Sequence, residues 1–210
     1  MSSPAGLRPT SMTKTYTGAS MSLDGYISGP DESGFDLLFD WYNNGDVVIE
    51  TAREDLTMRC SPQSAAYFRE VMDTAGAFVV GRHLFDITNG WEGRHPIDIP
   101  VVVVTHEPPT DWQPKHRDHR FEFVTEGVEA AVARARVLAG DKAVVVNGGQ
   151  MARQALEAGL IDELWVDLVP VLLGGGRPLF DHVKGPVTLD GPLSVVEGDR
   201  VTHLRYTVRR

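Results

Sequence analysis

The chain of 210 residues has a single cysteine, Cys60. One thiol closes no intramolecular disulfide, so a stapled secreted scaffold is excluded and a cytoplasmic protein is the expectation. Basic residues are scarce too: 20 Lys and Arg against 29 Asp and Glu leave a formal net charge of −9. That balance argues against a general nucleic-acid or anionic-membrane surface, while leaving room for a local basic pocket. Long apolar runs are also missing. No segment is continuous enough to cross a bilayer, and the opening "MSSPAGLRPTSM" has no apolar stretch of the kind found in signal peptides. Residues 1–12 are expected to form a disordered lead-in, with Met12 as an alternative start. What is plentiful is apolar content, 42%, enough for the core of one domain or at most two small ones.

Strand and helix patterns alternate along the rest of the chain. "KTYTGASMSLDGYIS" is β-rich and turns at Leu-Asp-Gly, "PQSAAYFREVMDTA" is an amphipathic helix, and "AFVVGRHLFD" is a buried strand that breaks at Gly81. "IPVVVVTHEPP" is a second β-branched run closed by prolines, and "FEFVTEG" a short strand. In "GVEAAVARARVLAG" the residues Val128, Ala131, Val132, Ala135 and Leu138 share one helical face before Gly140 stops it. "AVVVNGGQMARQAL" is a strand running through two glycines into a helix, followed by the strands "DELWVDLVPVLLG" and "RVTHLRYTV". Near-continuous apolar strands separated by helices predict a largely parallel sheet covered on both faces, with ligands at the carboxyl ends of its strands.

Several strand ends carry chemistry suited to a phosphorylated nucleotide. Gly81-Arg82-His83 follows "AFVV", Thr105-His106 follows "VVVV", and Asn147-Gly148-Gly149-Gln150 follows "AVVV". Together they offer bare backbone, a hydroxyl, an amide, a guanidinium and imidazoles. A Rossmann dinucleotide site, with Asp167 as ribose-binding acid, is set aside because "NGGQMA" lacks the spaced glycines. "LLGGGRPLF" lacks the Gly-Lys-Ser/Thr of a P-loop, so Gly174 to Gly176 are expected to bend between strands. No metal site is expected. His116 and His119 have ligand-like spacing but no thiol or clustered carboxylates beside them, and the H-x-E with P-C-x-x-C of a zinc deaminase is missing.

The ordered blocks "ASMSLDGYISGPD", "FVVGRHLFD", "VVVVTHEPP" and "VVVNGGQMARQALEAGLIDELWVDLVPVLLGGGRPLF" resemble those of the dihydrofolate-reductase-like superfamily. The branch they resemble is related to the reductase domain of the bifunctional riboflavin-biosynthesis deaminase-reductase. The resemblance implies an α/β three-layer sandwich, a central mostly parallel sheet with helices on both faces. Residues 13–210 would be a single reductase-like domain, interrupted by a long loop insertion at about 28–62. It implies NADPH as cofactor, a small-molecule substrate and a homodimer, for which the apolar "LWVDLVPVLL" strand and the aromatic loop offer buried surface. Gly81, Arg82 and His83 would meet the adenosine phosphates, and Thr105 and His106 the 2′-phosphate side. Asn147, Gly148, Gly149, Gln150 and Met151 would lie beneath the pyrophosphate, with a cis peptide bond within Asn147-Gly148-Gly149. Ala19, Ser20 and Ile27 would line the nicotinamide.

Folate reductases carry a carboxylate near the start of the helix before the Gly-Arg strand, and here that position aligns with Ser64. A hydroxyl cannot form the charge-assisted pair, which points away from folate as substrate. Asp24, in the turn beside the nicotinamide residues, is a candidate proton donor, although Asp-Gly is also a common turn pair. Trp91 in "NGWEG" covers the substrate or packs on the core, and Phe35, Phe39, Trp41 and Tyr42 in the insertion form a lid or pack onto the core. The expected function is an NADPH-dependent reductase of a heterocyclic or carbonyl/imine substrate. The alternative is an NADP-binding module without turnover.

Overall fold

The computed structural model describes residues 13–116, 120–180 and 182–210. The expected lead-in at 1–12 and His119 of the basic loop lie outside the described residues.

The chain opens with β1 (Thr15–Ser22), which turns at Asp24-Gly25 into the short β2 (Tyr26–Ser28). The insertion that follows is built of elements: α1 (Phe35–Leu38) and a hairpin of β3 (Val47–Glu50) with β4 (Thr57–Cys60). Next come α2 (Pro62–Thr74), β5 (Ala75–Gly81), α3 (Arg82–Ile87), β6 (Val101–Val104) and β7 (Phe121–Val124). The second half runs through α4 (Val128–Ala139), β8 (Ala143–Asn147), α5 (Gln150–Glu157) and β9 (Glu163–Val169). It closes with β10 (Arg177–Pro178), β11 (Leu189–Gly198) and β12 (Val201–Val208).

The main sheet has the order β11-β12-β9-β1-β8-β5-β6-β7. Its six strands from β9 to β7 pair in parallel, and β12 and β11 add an antiparallel hairpin at one edge. This is the mostly parallel sheet with helices on both faces that the alternating pattern predicts. Burial on both faces explains the unbroken valines of β6, where Val101, Val102 and Val103 are all fully buried. On β5 and β6, Val80, Val101 and Val103 pack with Phe85 of α3. Ala77, Val79 and Val102 face the opposite way, onto Val128, Ala131, Val132 and Ala135 of α4 and Ala155 of α5. Two-residue alternation thus sends one strand into two cores.

Helix α2 begins where Ser61 caps it, accepting from the Ser64 N–H at 3.3 Å, with Pro62 in its first turn. It lies with the insertion over the β9–β12 half of the sheet. There Leu38, Trp41, Ile49, Met58, Cys60 and Ala65 make a core with Val169 and Val201.

Candidate active site

Every parallel strand of the sheet points its carboxyl end toward the same edge, and a cavity of about 620 Å³ opens there. That is within the ~300–1,000 Å³ common to small-molecule clefts. The last residues of β1, β5, β6 and β8 supply its walls: Ala19 and Ser20, then Gly81, then Val104 and Thr105, then Asn147 and Gly148. Arg82, His83, His106, Gln150, Met151 and Ile27 also line it. The sheet therefore gathers most of the residues singled out from the sequence.

The two glycines permit this geometry differently. A Cβ on Gly148 would lie 3.0 Å from the terminal carbons of both Ile27 and Leu179, and Gly149 has φ of 72°, where side chains are strained. The expected cis bond is corrected. Among the described residues the only cis peptide is Gly191-Pro192, so both bonds of Asn147-Gly148-Gly149 are trans. The left-handed Gly149 makes the bend instead, and its N–H donates to the Leu179 carbonyl at 2.7 Å. The N-terminus of α5 still faces the cavity through Gln150, an orientation that favours anions.

The cation-rich side is more elaborate than the sequence suggests. Arg82 donates to the Asp86 carboxylate at 2.7 Å and to the Glu107 carbonyl at 2.8 Å. The Thr105 hydroxyl donates to that same carbonyl at 2.8 Å, so the ends of β5 and β6 are tied together. Across the mouth, Glu32 Oε1 meets His83 Nε2 at 2.8 Å and accepts from Arg177 at 2.9 Å. Desolvation raises the Glu32 carboxyl, and the hydrogen bonds to Arg177 and His83 outweigh it, so its pKa ends below the usual range. Glu32 and Arg177 were not singled out from sequence. Arg177 follows directly on the "GGG" run read only as a bend, and Glu32 lies within the insertion. Phe35 and Phe39 of the insertion also line the cavity, whereas Trp41 is fully buried. Trp41 thus takes the packing role, while Phe35 and Phe39 face the cavity.

Gly149 is skipped by the lining, which passes from Gly148 to Gln150, and three further expected site residues lie elsewhere. Asp24 is not among the lining residues. Its carboxylate accepts from the Ser22 hydroxyl at 2.6 Å and from the Leu173 and Gly174 N–H groups at 3.1 and 2.7 Å. Those bonds, the Ser22 hydroxyl foremost, hold its pKa below the usual carboxylate value and tie it into the turn, outside the cavity wall. Trp91 is also away from the cavity, packing near Phe78 (6.1 Å between ring centres), His95 (4.7 Å) and Phe121 (6.5 Å). Ser64 is buried and turned toward β12, where its Oγ lies 2.9 Å from His203 Nε2.

His203 is fully buried, and its Nδ1 lies 2.7 Å from Asp167 Oδ1 on β9. Tyr67 of α2 stacks on the imidazole with centroids 4.0 Å apart, and Trp41 meets it edge-on at 4.9 Å. Sequence reading missed this array because Ser64 and His203 are 139 residues apart.

A match to the family model for the RibD C-terminal domain covers residues 16–197. The chain belongs to that family. Similarity to the following proteins is low in sequence and extends over most of the chain. A Bacillus subtilis protein, the uncharacterized YwjB, is 24% identical over 176 residues, 84% of this chain and 87% of its own. A putative riboflavin biosynthesis protein from Shewanella sp. PV-4 aligns with TM-score 0.67 and 22% identity over 94% of this chain and all of that one. The riboflavin biosynthesis reductase Rib7 of Saccharomyces cerevisiae aligns at 0.59 and 11% identity, covering 97% and 93%. A dihydrofolate reductase from Enterococcus faecalis, complexed with NADP(H), aligns at 0.52 and 17%, covering 95% and 98%. The fold is dihydrofolate-reductase-like.

Proposed function

We propose that the protein is an NADPH-dependent reductase of a small heterocyclic or carbonyl/imine substrate other than folate. Membership of the RibD C-terminal domain family makes it an oxidoreductase. The choice of cofactor is supported by one observation above all: three strand ends bring Gly148, Gly81-Arg82-His83 and Thr105-His106 to a single cavity, beside Arg177. Their chemistry fits the group, with bare backbone and a helix start for a pyrophosphate and cationic side chains at the rim for a 2′-phosphate. Arg82, His83, Thr105 and His106 would hold the adenosine phosphates. Gly148, Gly149, Gln150 and Met151 would lie under the pyrophosphate, and Ala19, Ser20 and Ile27 against the nicotinamide. When bound, NADPH supplies a hydride, and the protein's part is to orient the acceptor and exclude water. Ser64 speaks against folate, since its hydroxyl is committed to His203 rather than to the cavity.

Calorimetry with NADPH and NADH tests the cofactor, and absorbance of NADPH followed over aldehydes, imines, nitro compounds, pterins and ribityl-pyrimidines tests turnover. NADPH is expected to bind more tightly than NADH. Arg82→Ala is expected to weaken NADPH about tenfold or more, as loss of a charge-assisted contact of about 1.5–3 kcal/mol implies. Equal affinity for both nucleotides, or an unchanged Kd in the variant, refutes the assigned phosphate site.

A further inference from the structure

An acid of the insertion spans the mouth of the cavity. Glu32, His83 and Arg177 all line it, and they come from three separate segments: the Pro30–Glu32 turn after β2, the start of α3 and strand β10. A single oxygen, Glu32 Oε1, lies 2.8 Å from His83 Nε2 and accepts from Arg177 at 2.9 Å. A carboxylate only accepts, so His83 donates here through Nε2. Two donors that converge on one carboxylate oxygen converge equally well on one phosphate oxygen.

The stem of Arg177 runs beside the glycine turn. A Cβ on Gly149 would lie 3.6 Å from Arg177 Cδ and 3.9 Å from its Cγ. Arg82 leans the other way, toward the end of β6, where it donates to the Glu107 carbonyl. Arg177 and His83 therefore bracket the space between the ends of β8 and β5, and Glu32 bridges it. Its hold is one that a ligand can break. The side chains of Glu32, Arg177 and His83 are 36%, 42% and 48% exposed, and ion pairs so open to water contribute little. The backbone beneath is strained as well: Asp31 and Glu32 have φ of 53° and 58°, left-handed values that residues with side chains rarely adopt. The turn is closed at its base, where the Gly29 N–H donates to the Ser33 carbonyl at 2.7 Å and the Ser33 hydroxyl to the Pro30 carbonyl at 2.6 Å.

We propose that Arg177 and His83 bind the diphosphate of the nucleotide, and that Glu32 occupies the same two donors whenever no nucleotide is bound and must give way to it. This rests on the cofactor reading above and adds to it a diphosphate-binding arginine and an internal competitor. The exchange replaces one oxyanion by another at the same donors, so neither donor is left unpaired. Glu32 then faces a ligand of its own sign, and repulsion moves it outward. The carboxylate thus closes the mouth against weaker anions and lowers the affinity for the nucleotide that displaces it.

Calorimetry on the full-length protein with NADPH and with inorganic pyrophosphate tests this. Glu32→Gln keeps the shape of the side chain and an accepting oxygen for Arg177 but drops the charge, and is expected to bind both ligands about fivefold more tightly. Asp31→Asn makes the same change of net charge one residue away and is expected to stay within twofold of wild type. Arg177→Gln, introduced into Glu32→Gln so that no carboxylate loses its partner, is expected to weaken both ligands about tenfold. Thermal melts confirm that each variant is folded. A carboxylate that merely props Arg177 in place would make Glu32→Gln bind pyrophosphate more weakly, and that result overturns the proposal, as does unchanged affinity or an equal gain in Asp31→Asn. Absence of pyrophosphate binding in wild type and Glu32→Gln alike overturns it too. Should Glu32→Gln not fold, Arg177→Gln alone decides, and wild-type affinity for pyrophosphate in that variant is the refuting result. Pyrophosphate binding that Glu32→Gln tightens, without any binding of NADPH, strikes the cofactor reading and leaves the diphosphate subsite standing, so the two failures are distinguishable.

Discussion

His95 is a residue whose titration the fold perturbs strongly. It lies against Phe78 and Trp91, with centroids 5.2 and 4.7 Å away, and desolvation pushes its pKa from 6.5 down to about 3. The native imidazole therefore stays neutral where the unfolded one takes a proton. Stability from this group is complete above pH 6.5 and is lost as pH falls from there toward about 3, at up to about 1.4 kcal/mol per pH unit. Urea midpoints measured at pH 7.5 and 5 are expected to fall less in His95→Phe than in wild type. Parallel slopes would show that the ring is hydrated. Gly148 tests the cavity at the same scale. Its added methyl would press on the flexible tips of Ile27 and Leu179, so the Gly148→Ala fold should give way by about 1 kcal/mol or less. NADPH binding is expected to weaken about tenfold, about 1.4 kcal/mol. A melting temperature that drops sharply with unchanged Kd would reverse this ranking.

At the scale of elements, Trp41 is the largest of the buried side chains that anchor the insertion. Trp41 is fully buried against the sheet, and its Nε1–H donates to Ser20 Oγ at 3.0 Å. Trp41→Ala is expected to cost about 3–5 kcal/mol in chemical denaturation, and Trp41→Phe, which loses chiefly the hydrogen bond, about 1 kcal/mol. Equal losses in the two variants would mean that the bond rather than the packing docks the insertion. The insertion also shows where sequence reading stops. The strands β5, β6 and β8 announce themselves by β-branched runs, and α4 by the spacing of Val128, Ala131, Val132 and Ala135, because each pattern is local. The β3–β4 hairpin is four residues a side with mixed burial, too short and too irregular for any periodicity to stand out. The clasp of Glu32 with His83 and Arg177, and the array of Asp167, His203 and Ser64, depend on strand register. Register is set by the whole sheet, and no local stretch encodes it.

For the whole molecule, the free edge of the sheet is the natural place for association. Strand β11 ends the sheet and exposes Leu193 (56%) and Val195 (52%), with Leu172 (70%) exposed in the loop after β9. An unpaired edge with apolar side chains invites a second copy. A homodimer is the expected state, seen in light scattering as twice 23.1 kDa. Val195→Glu is expected to shift it toward the monomer while leaving the melting transition cooperative. A monomer mass for the wild type at micromolar concentration would count against the assembly.

The position of β1 also governs how the chain reaches this shape. Although it comes first, β1 pairs only with β8 and β9, so Thr15 meets Val144 and Tyr16 meets Glu163. Its ladder closes loops of well over a hundred residues, and loop closure of that span is entropically late. The strand carrying Ala19 and Ser20 therefore has no neighbour to pair with until β8, from Ala143, has been made, and its second neighbour comes only with β9. A fragment ending before Ala143 leaves Thr15–Ser22 without either partner, and its amides should exchange with solvent as freely as those of a loop. The cavity and late folding thus coincide at the centre of one sheet, and a nascent chain can assemble the strand-end walls only after β8 has been made.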